Sequence, residues 1–186
     1  MAGERDLAVW KDRYVFPSLV EGYMKGMGER FTAKTRARLK DAGLDVDKLP
    51  PAIPGLEMER FMRIIAEEGW PDEPWVEQLR MLGLCAIRGW QSTLLGKAAS
   101  AMIRLVGPER AIMRLDRAFS TANNYSKATS ELLGNNEALI TINDVQDMPS
   151  YWVGILEAAL EVLGRTGTIT FVELRGLGAT YRVKWE

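Results

Sequence analysis

The sequence contains no histidine and only one cysteine in 186 residues. A lone cysteine excludes an internal disulfide, and the absence of histidine excludes the usual zinc sites and imidazole-assisted hydrolases. The thiol of Cys85 lies beside Leu84, Ala86 and Ile87, an apolar setting that raises a thiol pKa and makes the group unreactive. We therefore predict no metal ligand and no catalytic residue, and the chain is not expected to be an enzyme.

An excess of one charge and a long hydrophobic run are also missing. Lysine and arginine number 24 against 25 acidic residues, so the net charge of −1 leaves no basic footprint for a nucleic acid. No stretch reaches the ~18 uninterrupted apolar residues of a membrane span, and the charged opening is unlike a signal peptide. A cytoplasmic protein is expected. The apolar content of 47% is enough for one domain, predicted over residues 1–186.

Residues 1–116 have mainly helical periodicity. Ser18 is a suitable N-cap for a helix to about Phe31, and a second helix is predicted from Thr32 to a terminating Gly43. A third pattern begins with Asp72 as the predicted N-cap and continues to about residue 106. At 1.5 Å per residue it would be ~50 Å long, which exceeds a small domain, so a break or bend is expected near Gly89 or Gly96.

Two stripes of residues lie along this long helical pattern. One is apolar and is predicted to be buried: Leu79, Leu82, Ala86, Trp90, Leu94, Ala98, Ala101 and Leu105. The other consists of small residues at helical spacing: Gly89, Thr93, Gly96 and Ser100. Small side chains let another backbone or a flat ligand approach closely. The second stripe therefore predicts close packing, either inside the chain or between two copies in a homodimer, with a flat ligand as the alternative.

Residues 117–186 predict a hairpin, a helix and a second hairpin. Strands are expected over 125–133 and 137–145 around a Gly-Asn-Asn turn, and over 168–174 and 180–185 around Gly176 and Gly178. Between them, apolar residues from Trp152 to Leu163 follow i, i+3, i+4, i+7 spacing. Such a helix can bury its stripe only against the sheet of the two hairpins. The fold class is therefore α+β, with N-terminal helices packed on a C-terminal, mostly antiparallel sheet of about four strands.

Two segments of the tail carry a resemblance. Arg117-Ala-Phe-Ser-Thr-Ala-Asn-Asn-Tyr125 and Pro149-Ser-Tyr-Trp-Val-Gly-Ile-Leu-Glu-Ala158 resemble an uncharacterised family of small myxobacterial proteins. The order of elements is similar to that of haem–nitric oxide binding (H-NOX) domains, four-vinyl-reductase domains and TRAPP vesicle-tethering subunits. H-NOX domains hold haem through a helical histidine and a Tyr-x-Ser-x-Arg motif. The chain has no histidine, and Tyr125-Ser-Lys-Ala-Thr-Ser130 does not reproduce that motif, so no cofactor is predicted.

Aromatic and polar residues are expected to meet between the long helix and the sheet. The predicted pocket lining is Trp90, Leu94, Phe119, Asn124, Tyr125 and Trp152. These polar groups could instead satisfy the backbone at an irregular corner. The leading hypothesis is a non-enzymatic, haem-free regulatory module in signalling that binds a small apolar ligand or a protein partner. The alternative is a self-associating structural or scaffold protein without a ligand.

Overall fold

The computed structural model describes residues 10–134 and 136–186, apart from the side chains of residues 117 and 118. Predictions for residues 1–9 and for Asn135 in the first hairpin turn lie outside this part. The helical half contains β1 (Tyr14–Val15), α1 (Pro17–Met27), α2 (Ala33–Asp41), β2 (Ile53–Pro54), α3 (Gly55–Gly69), α4 (Trp75–Ser92), α5 (Leu94–Val106), α6 (Pro108–Ile112) and α7 (Leu115–Phe119). The second half contains β3 (Ala128–Gly134), β4 (Glu137–Ile142), α8 (Pro149–Val162), β5 (Gly167–Arg175) and β6 (Gly178–Trp185).

The predicted α+β class and the hairpin–helix–hairpin order are confirmed. The four strands β3 to β6 form an antiparallel sheet in the order β3-β4-β6-β5, and β1 pairs with β2 in a separate two-stranded ladder. In the larger sheet Ile140 of β4 lies opposite Tyr181 of β6. Alternate residues of both strands are buried, because successive side chains of a strand point to opposite faces. The buried face of the sheet packs against α8.

The helix starts show where local rules held. Helix α2 begins one residue after the predicted start at Thr32, and Thr32 is its N-cap, since its Oγ1 accepts the amide of Thr35 at 3.2 Å. The predicted caps Ser18 and Asp72 are wrong. Phe16 is the N-cap of α1, and the Ser18 hydroxyl instead donates to the carbonyl of Thr121 at 2.9 Å. Helix α4 begins at Trp75, and Pro74 is its N-cap. Proline suits a helix start because the first residues of a helix have no partner for their amide hydrogen, and proline has no amide hydrogen.

The long helical pattern is broken as predicted, at Thr93. This residue is extended (φ −73°, ψ 158°), ends α4 and caps α5, since its Oγ1 accepts the amide of Gly96 at 2.9 Å. The break changes the direction of the chain, so α5 does not continue the buried stripe of α4. The prediction of one buried stripe is therefore wrong beyond residue 93: Leu94 is 87% exposed and Leu105 is 81% exposed.

Glycines allow α4 to pack closely on its neighbours. A Cβ at Gly89 would lie 1.8 Å from the carbonyl oxygen of Gly22 in α1, and a Cβ at Gly154 of α8 would lie 1.9 Å from that of Arg80. The predicted close packing is thus confirmed, and it occurs inside the chain. Gly89 is consequently not available to a second copy. Among the helices of the described residues, none combines the length and the apolar character needed to cross a bilayer.

Candidate functional site

A cavity of about 860 Å³ lies inside the helical layers. Its walls come from α1, α4, α5 and α8 and from the buried face of the sheet, where Ile140 and Val183 contribute side chains. The volume is within the range of roughly 300–1,000 Å³ that is typical of small-molecule sites. The packing of the helices therefore leaves room for a ligand.

Most of the wall is apolar. Helix α8 supplies the longest stretch, including Trp152, Ile155 and Leu156. The rings of Trp152 and Phe119 meet edge to face, with centroids 5.0 Å apart and an interplanar angle of 68°. Trp90 of α4 is half-buried and also lines the cavity. Such a surface favours a hydrophobic ligand, because apolar area removed from water is the main source of affinity there.

The mouth of the cavity lies where exposed side chains join the lining. On α1 these are Ser18, Glu21 and Lys25, and on the other side they include Leu95 and Arg114. Leu95 is 75% exposed. Within the described residues, neither Lys25 nor Arg114 forms an ion pair. The mouth therefore carries charged groups of both signs, since Glu21 lines it together with these two cations.

One region of the wall is polar. Asn123, which is 7% exposed, accepts the amides of Tyr125 and Ser126 through its Oδ1, at 3.1 and 2.7 Å. Gln146 donates from its Nε2 to the hydroxyl of Tyr125 at 2.7 Å. The backbone of Gln146 and Asp147 is left-handed, with φ of 52° and 56°. Two left-handed residues in succession store backbone strain, which is typical of functional sites. This backbone conformation directs the Gln146 side chain to the cavity.

A buried ion pair supports this polar region. Asp144, which is 1% exposed, pairs with the guanidinium of Arg13 and accepts the amide of Gln146 at 3.0 Å. Burial raises the pKa of Asp144, and the Gln146 amide and Arg13 act in the opposite direction. The guanidinium also lies 5.4 Å from the ring centre of Tyr125. The pair therefore fixes both the loop and the aromatic ring beside the cavity.

The ionisable hydroxyl and thiol groups nearby stay neutral. Tyr23 donates to the hydroxyl of Tyr151 at 2.8 Å, and burial raises the pKa of both. Burial likewise raises the pKa of Tyr125. The Cys85 thiol is buried, its pKa is raised to about 11, and it does not belong to the lining. None of these groups is suited to act as a nucleophile or general base at neutral pH.

The structure brings four of the six predicted pocket residues to the cavity: Trp90, Phe119, Tyr125 and Trp152. It places Leu94 on the outer surface, because α5 starts anew after the extended Thr93, and Leu95 instead lines the mouth of the cavity. Asn124 is also wrong. Its side chain accepts the amide of Tyr14 at 2.8 Å and donates to the carbonyl of Asp12 at 2.9 Å, so it holds the N-terminal segment.

The predicted lining contained Asn124 in place of Asn123 and did not contain Gln146. The pair Asn123-Asn124 offered a local signal, since one of two adjacent asparagines at a turn often binds the following amides. Nothing in the sequence distinguishes which of the two does so. Gln146 had no signal at all, because a left-handed glutamine is rare and depends on the loop that surrounds it.

The chain belongs to the family described as protein of unknown function (DUF2378), whose model matches residues 13–186. No curated protein matches it at a significant level.

Solved H-NOX structures are similar in fold. An oxygen-binding H-NOX domain related to soluble guanylate cyclases is 14% identical over 91% of this chain and 94% of its own, with a TM-score of 0.69. A mutant H-NOX domain of T. tengcongensis is 14% identical over 91% of this chain and 97% of its own, with a TM-score of 0.68. A third structure, from work on haem redox potential and porphyrin distortion, is 14% identical over 91% of this chain and 94% of its own, with a TM-score of 0.67.

The lining residues do not fit a haem. Haem iron is held by histidine, by a cysteine thiolate, by methionine together with histidine, or by tyrosine. The chain has no histidine, and Cys85 is neither ionised nor part of the lining. Tyr125 and Tyr151 are engaged in hydrogen bonds, and their raised pKa disfavours the phenolate. The fold is thus that of the H-NOX structures, and the described residues lack their means of holding iron.

Proposed function

We propose that this chain is a haem-free, non-enzymatic module that binds a small apolar molecule in the cavity and acts in regulation or signalling. The observation that carries the proposal is the cavity of about 860 Å³ with its mainly apolar wall. The likeness to the H-NOX structures adds that this fold is used to bind ligands. The ligand is expected to be an organic molecule held by hydrophobic contact and oriented by a few polar groups.

The polar region supports an amphiphilic ligand with a small polar group. Gln146 and Asn123 line the cavity and are held by hydrogen bonds to neighbours, so their positions are set before a ligand arrives. Pre-organised polar groups reduce the entropy lost on binding. The remaining wall would enclose the apolar part of the molecule.

The non-enzymatic part of the proposal rests on proton affinities. The tyrosine hydroxyls beside the cavity have raised pKa values, and Asp144 is held in its pair with Arg13. Within the described residues, no group of three or more histidine, cysteine, aspartate or glutamate side chains is placed to hold a metal ion. Binding therefore explains the site better than chemistry does.

A matched pair of alanines on α5 allows a direct test. Ala99 lines the cavity, whereas its neighbour Ala98 is exposed and does not belong to the lining. The uncharged fluorophore N-phenylnaphthylamine would be titrated into the native protein, Ala99→Trp and Ala98→Trp. We expect saturable binding to the native protein and to Ala98→Trp, and at least about tenfold weaker binding to Ala99→Trp, because the indole fills the space that the fluorophore needs.

Two results would overturn the proposal. The first is no binding of the fluorophore to the folded native protein, together with native mass spectrometry that finds no co-purified small molecule. The second is equal binding by the two variants, which would place the fluorophore elsewhere. A Soret band from stoichiometric haem in the purified protein would overturn the haem-free part alone.

A further inference from the structure

Helix α5 is apolar on two opposite faces. Toward the interior, Ala99 and Ile103 line the cavity. The opposite side, here called the outer face of α5, consists of Leu94, Ala98, Ala101, Met102 and Leu105. Leu94, Met102 and Leu105 are 87%, 65% and 81% exposed. Large apolar side chains gathered on one exposed face mark an interaction surface, so this outer face is suited to a cover that the folded chain does not provide.

The segment that contains the outer face is rich in positive charge. Residues 93–115 contain four cations, Lys97, Arg104, Arg110 and Arg114, and one acid, Glu109. This segment has a net charge of +3 in a chain whose total is −1, so the remainder of the chain is at −4. All four cations are exposed. Helix α2 has the same net charge, but its four cations are all paired with acidic side chains. The positive charge of residues 93–115 therefore accompanies the most exposed apolar helix.

We propose that the outer face of α5 docks on the surface of an anionic lipid bilayer. Leu94, Met102 and Leu105 would enter the boundary between headgroups and acyl chains, and Lys97 would lie against anionic headgroups. Arg104 is exposed as well, but its Nε donates to the carbonyl of Val162 at 2.8 Å, so it would be a secondary contact. Helices that bind in the plane of a membrane combine these two features. This surface interaction goes beyond ligand binding in the cavity and does not depend on it.

The size of the outer face argues against a second copy as the cover. A helix of 13 residues is ~20 Å long and ~10 Å wide, so it offers about 200 Å². A stable protein interface buries ~800 Å² on each partner. A bilayer has no such minimum, since each side chain enters the interface independently. The charge asymmetry also disfavours two identical positive faces meeting.

Vesicle binding tests the proposal. The native protein would be co-sedimented with vesicles of phosphatidylcholine alone and with vesicles containing roughly a third phosphatidylglycerol. Two variants probe the face, and each has a control of the same chemistry elsewhere. Leu105→Ser is compared with Leu174→Ser on β5, where the leucine is 53% exposed. Lys97→Gln is compared with Lys48→Gln in the loop after α2. All four residues are exposed, so the variants should fold.

We expect the native protein to bind the anionic vesicles and to bind the neutral ones much more weakly. Leu105→Ser should weaken binding to the anionic vesicles about tenfold, and Lys97→Gln about fivefold, whereas the two controls should bind like the native protein. Absence of binding to anionic vesicles overturns the proposal, and so does an equal loss in the controls. Sedimentation velocity without lipid provides a further check. A dimer that Leu105→Ser dissociates, in a protein that ignores vesicles, would assign the face to a second copy.

Discussion

The crossing of α4 and α8 makes a quantitative prediction about Gly154. A methyl group there would lie 1.9 Å from the carbonyl oxygen of Arg80 and 2.9 Å from the amide nitrogen of Leu84. Both are backbone atoms, so no side chain can rotate away, and the helices must separate by about 1 Å. Overpacking of this kind costs up to ~3 kcal/mol, and the better helix propensity of alanine returns ~1 kcal/mol. Gly154→Ala should therefore destabilise the fold by about 2 kcal/mol.

Gly69 is the matched control. It is the last residue of α3 and is buried, and a methyl group there would meet only the terminal Cε of Met27, at 2.5 Å. A methionine side chain has three flexible torsions and can move aside. Gly69→Ala should thus change the free energy of unfolding by less than about 0.5 kcal/mol. The two variants make the same chemical change and differ only in whether backbone or a flexible side chain is in the way.

Urea denaturation measures the difference. With a dependence of ~2 kcal/mol per molar urea, the midpoint of Gly154→Ala should fall by about 1 M while that of Gly69→Ala stays near the native value. Equal midpoints for the two variants would refute the reasoning, because they would mean that the α4–α8 contact yields as readily as a methionine. A Gly154→Ala protein more stable than the native one would refute it more strongly.

Two further predictions concern ionisable groups. Burial raises the pKa of Cys85 to about 11, so roughly a thousandth of the thiol is ionised at pH 8. An aromatic disulfide reagent should therefore label the native protein at least ~100-fold more slowly than the urea-unfolded chain. Similar labelling rates would contradict this prediction. Arg38 and Lys34 hold the pKa of Glu68 below its ordinary value, so the stabilisation it contributes is present above the unfolded-state pKa and is lost as the pH falls through the folded one. The stability gap between the native protein and Glu68→Gln should shrink from pH 6 to pH 3, and a constant gap would argue against the ion pair.

The C-terminal half was predictable because its signals are local. Alternation with period two and turn residues that tolerate positive φ locate the strands, and Gly134 and Gly176 do have φ of 82° and 60°. Apolar spacing of three and four places α8 between the hairpins. Since hydrophobic periodicity and turn chemistry act over a few residues, the sequence carries this information without a template.

The pocket lining was predictable only in part, because it depends on contacts between distant segments. Periodicity identified Trp90 and Trp152 as buried, and both lie beside the cavity. The exposure of Leu94 depends on one extended residue at the start of α5, and a one-residue shift replaces it with Leu95. The choice of Asn123 over Asn124 likewise depends on which of the two meets the N-terminal segment.

The sequence by itself therefore determined the fold class, the order of the C-terminal elements and the absence of histidine for holding iron. Only the tertiary structure decided that a large cavity exists, which residues face it, and that α5 leaves an apolar face uncovered. The physical reason is that element type depends on neighbours along the chain. Cavity volume and exposure depend on how helices stop, turn and pack, and the close contacts at Gly89 and Gly154 that set this packing join residues far apart in the sequence.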